Sequence, residues 1–209
     1  MPMRKEIAEH YNRHCREYEE WIKSNPHIHE SEVIALQKVV PSGVGLEVGV
    51  GTGRLASVFS IQYGLDPSRN MLKLAQQKNV LVVQGVGENL PFKKESFNFI
   101  LIMYTIELAD DALHFLKEAV RTLKKRGVLI LGITNLESAW GKFYEQEAAR
   151  GFWRFYSIEE IHRFFKRIRL KFQAAFHTHF HAPPDIKEIE EPKKGFGQGG
   201  LVVFKAVKQ

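Results

Sequence analysis

The stretch Gly45-Leu46-Glu47-Val48-Gly49-Val50-Gly51-Thr52-Gly53-Arg54 constrains the fold of this chain more than any other. A short apolar run that breaks into alternating glycines predicts a strand ending at Val48 and a tight turn into a helix. In that turn, missing Cβ atoms permit positive φ and let a ligand lie against backbone N–H groups. The spacing differs from the dinucleotide fingerprint G-x-G-x-x-G, whose third glycine, the one that packs helix on strand, would fall at Arg54. Glu47, two residues before the first glycine, adds a carboxylate to the turn.

The rest of the chain supplies an α/β frame around that turn. With 209 residues and 44% hydrophobic content, one domain spanning 1–209 is expected, with a sizeable core. No apolar run approaches the roughly 18 residues that cross a bilayer, and the N-terminus leads into charged helical sequence, so a cytoplasmic protein without a membrane span is expected. Cys15 is the single cysteine, which excludes an internal disulfide and any Cys-clustered metal site. The net charge of +6 is spread along the chain without a block of five or six like charges, and reads as a solvated surface.

Ile7, Tyr11, Tyr18 and Trp21-Ile22 recur at helical spacing over residues 3–23, and Ser24-Asn25-Pro26 supplies a stop. A second helix is expected from about Glu30 to Val40, ending at Pro41, so that residues 1–40 form a helical N-terminal cap. After the glycine turn, Arg54 to Phe59 reads as a short helix and Ile61 to Leu65 as a strand ending at Asp66. That acid lies 17 residues beyond Gly49, where an open α/β sheet presents a carboxylate to the paired hydroxyls of a ribose. Asp66 could instead cap the helix beginning near Ser68.

Leu81 to Gln84 reads as a third strand. The unbroken apolar run Phe97 to Met103 reads as a central strand buried on both faces, and Gly127 to Ile133 as a fifth strand. Between the last two, Asp110-Asp111 opens a helix to Leu123. Ser157-Ile158-Glu159-Glu160 is a capping-box pattern opening a helix to about Ile168, followed by strands Leu170 to Thr178 and Leu201 to Val207. Residues 134–156 form an aromatic insert in which Trp140, Phe143 and Tyr144 share a helical face, as core or as a lid over a pocket. His177, His179 and His181 alternate, which would put them on one strand face. With no acid or cysteine at ligand spacing, no metal is expected there.

Several of these stretches resemble the class I S-adenosyl-L-methionine (SAM)-dependent methyltransferases, of the ubiquinone and menaquinone biosynthesis type. The acid-x-Gly-x-Gly-x-Gly turn is similar to motif I of that family, Asp66-Pro67-Ser68-Arg69-Asn70-Met71-Leu72 to its Asp-x-Ser-x-x-Met-Leu stretch, and Gly85 to Phe92 to its Gly-Asp-Ala-Glu-Asn-Leu-Pro-Phe loop. Phe97 to Ile133 is similar to the region of its fourth and fifth strands. The chain departs from the pattern at Val86 and Asn98, where Asp is usual, at Leu108, where His is usual, and at Lys125-Arg126, where Pro-Gly is usual.

The resemblance implies a doubly wound, mostly parallel seven-stranded α/β sheet with helices on both faces and a C-terminal antiparallel strand pair. It also implies an enzyme that moves a methyl group from SAM to a small-molecule N, O or C nucleophile and releases S-adenosyl-L-homocysteine (SAH). The implied cofactor residues are Glu47 at the methionine ammonium, Gly49, Val50, Gly51 and Gly53 in the turn, Asp66 at the ribose with Pro67 beside it, and Met71 on the adenine. Backbone around Val86-Gly87, with Glu88, would read the adenine edge. Tyr104 would border the methyl, and Glu107 is a candidate substrate contact or base. Tyr18, Trp21, Trp140 and Tyr144 are the substrate candidates, Tyr18 and Trp21 belonging, with Tyr11, to an N-terminal helix that closes over the cofactor. Transfer to RNA or protein, a non-catalytic SAM sensor and a NAD-binding protein are the alternatives. Against the first, Tyr104-Thr105-Ile106-Glu107 lacks the Asn-Pro-Pro-Tyr-type turn used for planar amines, so nucleic acid is disfavoured as partner.

Overall fold

In the computed structural model, which describes residues 3–148 and 153–209, one twisted sheet carries the chain. Its strands are β1 (Gly45–Val48), β2 (Tyr63–Asp66), β3 (Leu81–Gln84), β4 (Phe97–Met103), β5 (Leu123–Thr134), β6 (Leu170–Thr178), β7 (Lys193–Lys194) and β8 (Leu201–Lys208), in the order β3-β2-β1-β4-β5-β8-β6-β7. The first five run parallel, while β8 is antiparallel to both β5 and β6. This is the expected seven-stranded frame with its antiparallel pair, to which the loop after β6 adds the two-residue β7 against Phe176 and His177. Strand order reverses between β1 and β4, and that switch point opens a crevice at their carboxyl ends.

Alternation along β4 explains why its sequence is apolar without a break. Ile100 and Ile102 pack with Phe115, Leu116 and Phe204 on one side of the sheet. Phe99, Leu101 and Met103 pack with Leu36, Ala75 and Ile130 on the other. Both sides need cover, and the helices α1 (Met3–Ser24), α2 (Pro26–Gln37), α3 (Arg54–Val58), α4 (Arg69–Gln77), α5 (Ala112–Thr122), α6 (Ala139–Ala148) and α7 (Ile158–Arg167) supply it.

Helix boundaries follow local chemistry. The second helix starts four residues before the sequence reading, because Pro26 sits in its first turn, where a missing N–H costs nothing. Ser68 caps α4 by accepting from the N–H of Met71, and Asp111 caps α5 by accepting from the N–H of His114. The capping box of α7 is complete, since the Ser157 hydroxyl accepts from the Glu160 N–H at 3.1 Å and the Glu160 carboxylate accepts from the Ser157 N–H at 2.9 Å.

The three histidines do not share a face. β6 ends at Thr178, and His179 turns the chain with φ +62°. His179 is buried against Trp140, with ring centroids 4.4 Å apart and planes 16° apart, while its Nε2 meets the Ile28 carbonyl at 3.2 Å. His181 instead pairs with Glu190. The alternation that suggested one face holds only while the strand lasts.

Candidate functional site

Each glycine of the turn has a different task. Gly49, Gly51 and Gly53 have φ of +77°, +53° and +76°. The N–H groups of Gly49 and Val50 both donate to the Leu65 carbonyl, at 2.7 and 3.0 Å, which ties the turn to β2. A Cβ at Gly49 would lie 2.1 Å from Thr105 Oγ1, whereas one at Gly51 would meet nothing within 4 Å, so Gly51 faces open space. Gly53 is the exception among the predicted cofactor residues. Its missing Cβ admits α4, at 2.9 Å from Ala75 Cα, and it does not line the cavity described next.

A cavity of about 560 Å³ lies over the carboxyl ends of β1, β2 and β4. It is bordered by Glu47, Gly49, Val50, Gly51, Asp66, Pro67, Met71, Val86, Gly87, Glu88 and Tyr104 from the sheet side, and by Tyr18, Trp21, Trp140 and Tyr144 from α1 and α6. Trp21 stands at the rim, 38% exposed. Phe143 turns outward at 49% exposure, because an α-helix of this pitch brings residues 140 and 144 onto the cavity side and rotates 143 away. Phe152 of the aromatic insert lies outside the described residues. Tyr11, Glu32, Arg54, Leu108, Trp153 and Phe155 also line the cavity. None of residues 181–200 does.

Glu107 is displaced from the role suggested by sequence. Its carboxylate turns into the protein, where Oε1 accepts from the Thr134 N–H at 2.6 Å, and its backbone carbonyl accepts from the Arg154 N–H at 2.8 Å. The side chain is fully buried and absent from the cavity wall. It joins the end of β5 to the segment carrying Trp153 and Phe155, so it acts as a brace.

Asp66 and Glu47 are unlike carboxylates. Asp66 accepts from the Gly51 N–H through Oδ2 at 2.9 Å and from the Ser68 N–H through Oδ1 at 2.8 Å, which locks the tip of β2 to the glycine turn. Burial raises its pKa to about 6 against the opposing effect of those two bonds. Glu47 is raised further, to about 8, by burial that the nearby Arg54 only partly offsets. Its Oε2 is buried without a hydrogen-bond partner, as are Thr52 Oγ1 and the Tyr104 hydroxyl. These three belong to side chains of the cavity wall, so the wall holds polar atoms that the protein itself leaves unpaired. Tyr104 follows β4 with φ +50°, a strained value for a bulky residue.

Helix α1 covers the cavity and is held by polar clamps on either side of its kink at His14. Asn12 Oδ1 accepts from the Ser68 hydroxyl at 2.8 Å and from the Asn70 N–H at 3.0 Å. Beyond the kink, Lys78 Nζ donates to Glu19 at 2.8 Å and to the Thr52 carbonyl at 2.9 Å. The cover is therefore fastened to α4 and to the glycine turn.

Residues 46–131 match the family described as methyltransferase domain. The chain is 37% identical to an uncharacterized protein of Methanocaldococcus jannaschii, over 95% of this chain and 98% of that one. It superposes on a crystal structure from Thermotoga maritima, described as a SAM-dependent methyltransferase and possible histamine N-methyltransferase, with TM-score 0.90 and 39% identity over 95% of this chain and 98% of that one. The chain belongs to the SAM-dependent methyltransferases. A shorter match, 39% identity over 72 residues, links it to the demethylmenaquinone methyltransferase of Staphylococcus epidermidis, over 32% of this chain and 30% of that one.

SAM is the cofactor of these methyltransferases, and this cavity suits it. SAM carries an ammonium, a sulfonium and a ribose, and the wall offers an unpaired buried carboxylate, a second carboxylate at the next strand tip and a glycine with open space before it. Among the described residues, no helix of this methyltransferase is long and apolar enough to cross a membrane.

Proposed function

We propose that the chain acts as one domain that methylates a small molecule in the cavity beneath α1. The observation that carries this reading is Glu47, a buried carboxylate oxygen left without a partner beside a glycine turn. SAM supplies an electrophilic methyl group on a sulfonium, which passes to a nucleophile by in-line displacement. Catalysis then consists largely of positioning and water exclusion.

In this reading Glu47 orients the methionine ammonium, while Gly49, Val50 and Gly51 supply the close backbone approach. Asp66 has lone pairs beyond the two it already uses, and these receive the ribose hydroxyls with Pro67 alongside. Met71, the Val86-Gly87 backbone and Glu88 frame the adenine. Tyr104 borders the methyl. Tyr11, Tyr18, Trp21, Trp140, Tyr144, Trp153 and Phe155 make an aromatic roof that suits a flat acceptor.

Titration calorimetry with SAH, followed by labelled-methyl transfer from SAM to amines, phenols, quinones and RNA, tests the function. SAH is expected to bind one to one and the label to enter a small molecule. No SAH binding refutes the whole reading, label appearing in RNA alone refutes the acceptor, and tight SAH binding without transfer to any class supports a sensor.

The pH dependence of SAH binding tests Glu47. In the ligand-free protein this group stays protonated up to about pH 8, and the ammonium needs its ionised form. Affinity for SAH should therefore rise between pH 6 and pH 8. A carboxylate with a raised native pKa stabilises the fold below its unfolded pKa, and that stability is lost as pH rises through the native value. The melting temperature of the ligand-free protein should accordingly fall over the same window. Glu47→Gln should flatten the Glu47 part of both slopes, and slopes unchanged in that variant would remove its assigned role.

A further inference from the structure

The excess positive charge, scattered along the sequence, is gathered by the fold at one end of the molecule. Residues 93–96, 123–127, 166–171 and 207–209 hold ten of the chain's 30 lysines and arginines but one of its 24 acids, Glu95, so the rest of the chain is slightly acidic and the excess of +6 belongs to these segments. All four meet at the amino ends of β4, β5 and β6. Phe97 pairs with Leu123, Val128 with Val207 and Leu170 with Lys208, while the N–H of Ser96 donates to the Thr122 carbonyl at 2.8 Å. Lys208 Nζ donates to the Val120 and Leu123 carbonyls at 2.7 and 2.6 Å, and Lys124 Nζ to Asn98 Oδ1 at 3.1 Å, so both are fastened to the sheet. The cavity lies over the carboxyl ends of the parallel strands, and this basic pole faces the other way.

Six of these cations, Lys125, Arg126, Lys166, Arg167, Arg169 and Lys171, are exposed, and among the described residues none has a side-chain hydrogen bond or an ion pair. A charged face that serves solubility alone mixes both signs, as α1 and α5 do, where Lys23 pairs with Glu20 and Arg121 with Glu118. At the pole the single acid, Glu95, meets Lys94 at 3.9 Å and leaves the rest uncompensated. Two of the arginines are also held in the left-handed region, Arg126 at φ +59° and Arg169 at φ +56°, where glycine or asparagine is the less strained residue. The turns thus carry cations where backbone geometry alone favours neutral residues.

We propose that this pole docks the protein on the anionic surface of a lipid bilayer, by charge alone and without insertion. The ends of β4, β5, β8 and β6 lie side by side, about 4.8 Å apart, and α5 and α7 pack against one side of them, so the cations spread in two dimensions. A plane of headgroups attracts such a patch over its whole breadth, whereas a nucleic-acid backbone is tracked by a stripe or a groove. None of the exposed large hydrophobic side chains falls in the four segments, so the pole offers neither an apolar wedge for the acyl region nor a ring for base stacking. Docked this way, the protein turns its cavity toward water, and the acceptor arrives from solution. The proposal stands apart from the methyl-transfer reading and does not depend on it.

The test is flotation of the full chain with vesicles of phosphatidylcholine alone or of equal parts phosphatidylcholine and phosphatidylglycerol. It is run at about 50 and about 500 mM NaCl, between which the screening length falls from about 14 to about 4 Å. Binding is expected to the anionic vesicles alone, and at low salt alone. The triple variant Lys125→Gln, Arg126→Gly, Arg169→Asn should weaken it about 100-fold, at about 5-fold per charge, with no loss of melting temperature because glycine and asparagine suit the left-handed turns. Removing three charges outside the pole, by Arg16→Gln, Lys73→Gln and Lys187→Gln, should weaken it by less than about 3-fold. Equal losses in the two sets would show that net charge rather than the pole holds the protein, and would overturn the proposal. So would the absence of binding to anionic vesicles at low salt, or equal binding to neutral ones. A mixed-sequence RNA duplex that binds more tightly than anionic vesicles at equal phosphate concentration also overturns it, and assigns the pole to nucleic acid. If the triple variant fails to fold, Arg126→Gly decides alone: about 5-fold weaker binding with an unchanged or higher melting temperature supports the proposal, and unchanged binding overturns it.

Discussion

Gly49→Ala is expected to abolish measurable SAH binding and to lower the melting temperature sharply. An alanine there would have to keep φ near +77°, and its Cβ would sit 2.1 Å from Thr105 Oγ1 and 2.4 Å from Thr105 Cγ2. Thr105 cannot simply rotate aside, because its hydroxyl is bonded to the Met103 carbonyl at 2.7 Å. The left-handed backbone costs about 1–2 kcal/mol for a residue with a Cβ, and an overpacked contact of this kind about 1–3 kcal/mol more. Relief requires the turn to move, which pulls the N–H of Gly49 off Leu65 and the N–H of Gly51 off Asp66. Gly51→Ala is the informative contrast. It has a similar φ but open space at the Cβ, so it should cost only about 1–2 kcal/mol of stability while still obstructing the ligand. Thermal melts with and without SAH measure both effects. A Gly49→Ala protein that melts like wild type and still shifts with SAH would show that the turn does not need its glycine.

Asp66→Ala should weaken SAH binding by at least roughly 2 kcal/mol, or about 30-fold in Kd. Two losses combine. The ribose hydroxyls lose their acceptor, and the N–H groups of Gly51 and Ser68 lose the carboxylate that holds the turn against β2. Asp66→Asn separates the two effects. The amide keeps the shape and one acceptor oxygen, but it must turn an NH2 group toward either Gly51 or Ser68, placing donor against donor. Stability should fall in both variants, and affinity should fall further in Asp66→Ala. Unchanged SAH affinity in a folded Asp66→Ala protein would refute the ribose assignment and leave Asp66 as a structural clasp.

The brace at Glu107 and the cover helix α1 make the same physical point from opposite sides. Both were singled out from sequence for their chemistry, and the fold assigned them differently. Tyr18 and Trp21 lie on the cavity because an amphipathic stripe at helical spacing needs a surface to cover, and a spacing argument can anticipate that. Glu107 lies two residues past Thr105 on a turn, and no local pattern states whether a carboxylate in a turn points to solvent, cavity or core. The backbone of Thr134, 27 residues away, settled its direction.

What the amino-acid sequence determined by itself is the part governed by local geometry. Alternating glycines after an apolar strand require a left-handed turn, an unbroken apolar run requires a strand buried on both faces, and an acid at the tip of the next strand falls beside the turn because parallel strands in register bring Val48 and Leu65 together. The tertiary structure alone decided the pairings between groups far apart in the chain: Arg54 with Glu32, Asn12 with Ser68, His179 with Trp140, and the withdrawal of Glu107. Such contacts depend on which helices pack side by side and at what angle. A charged or aromatic side chain carries no mark of its partner until burial removes water as the alternative.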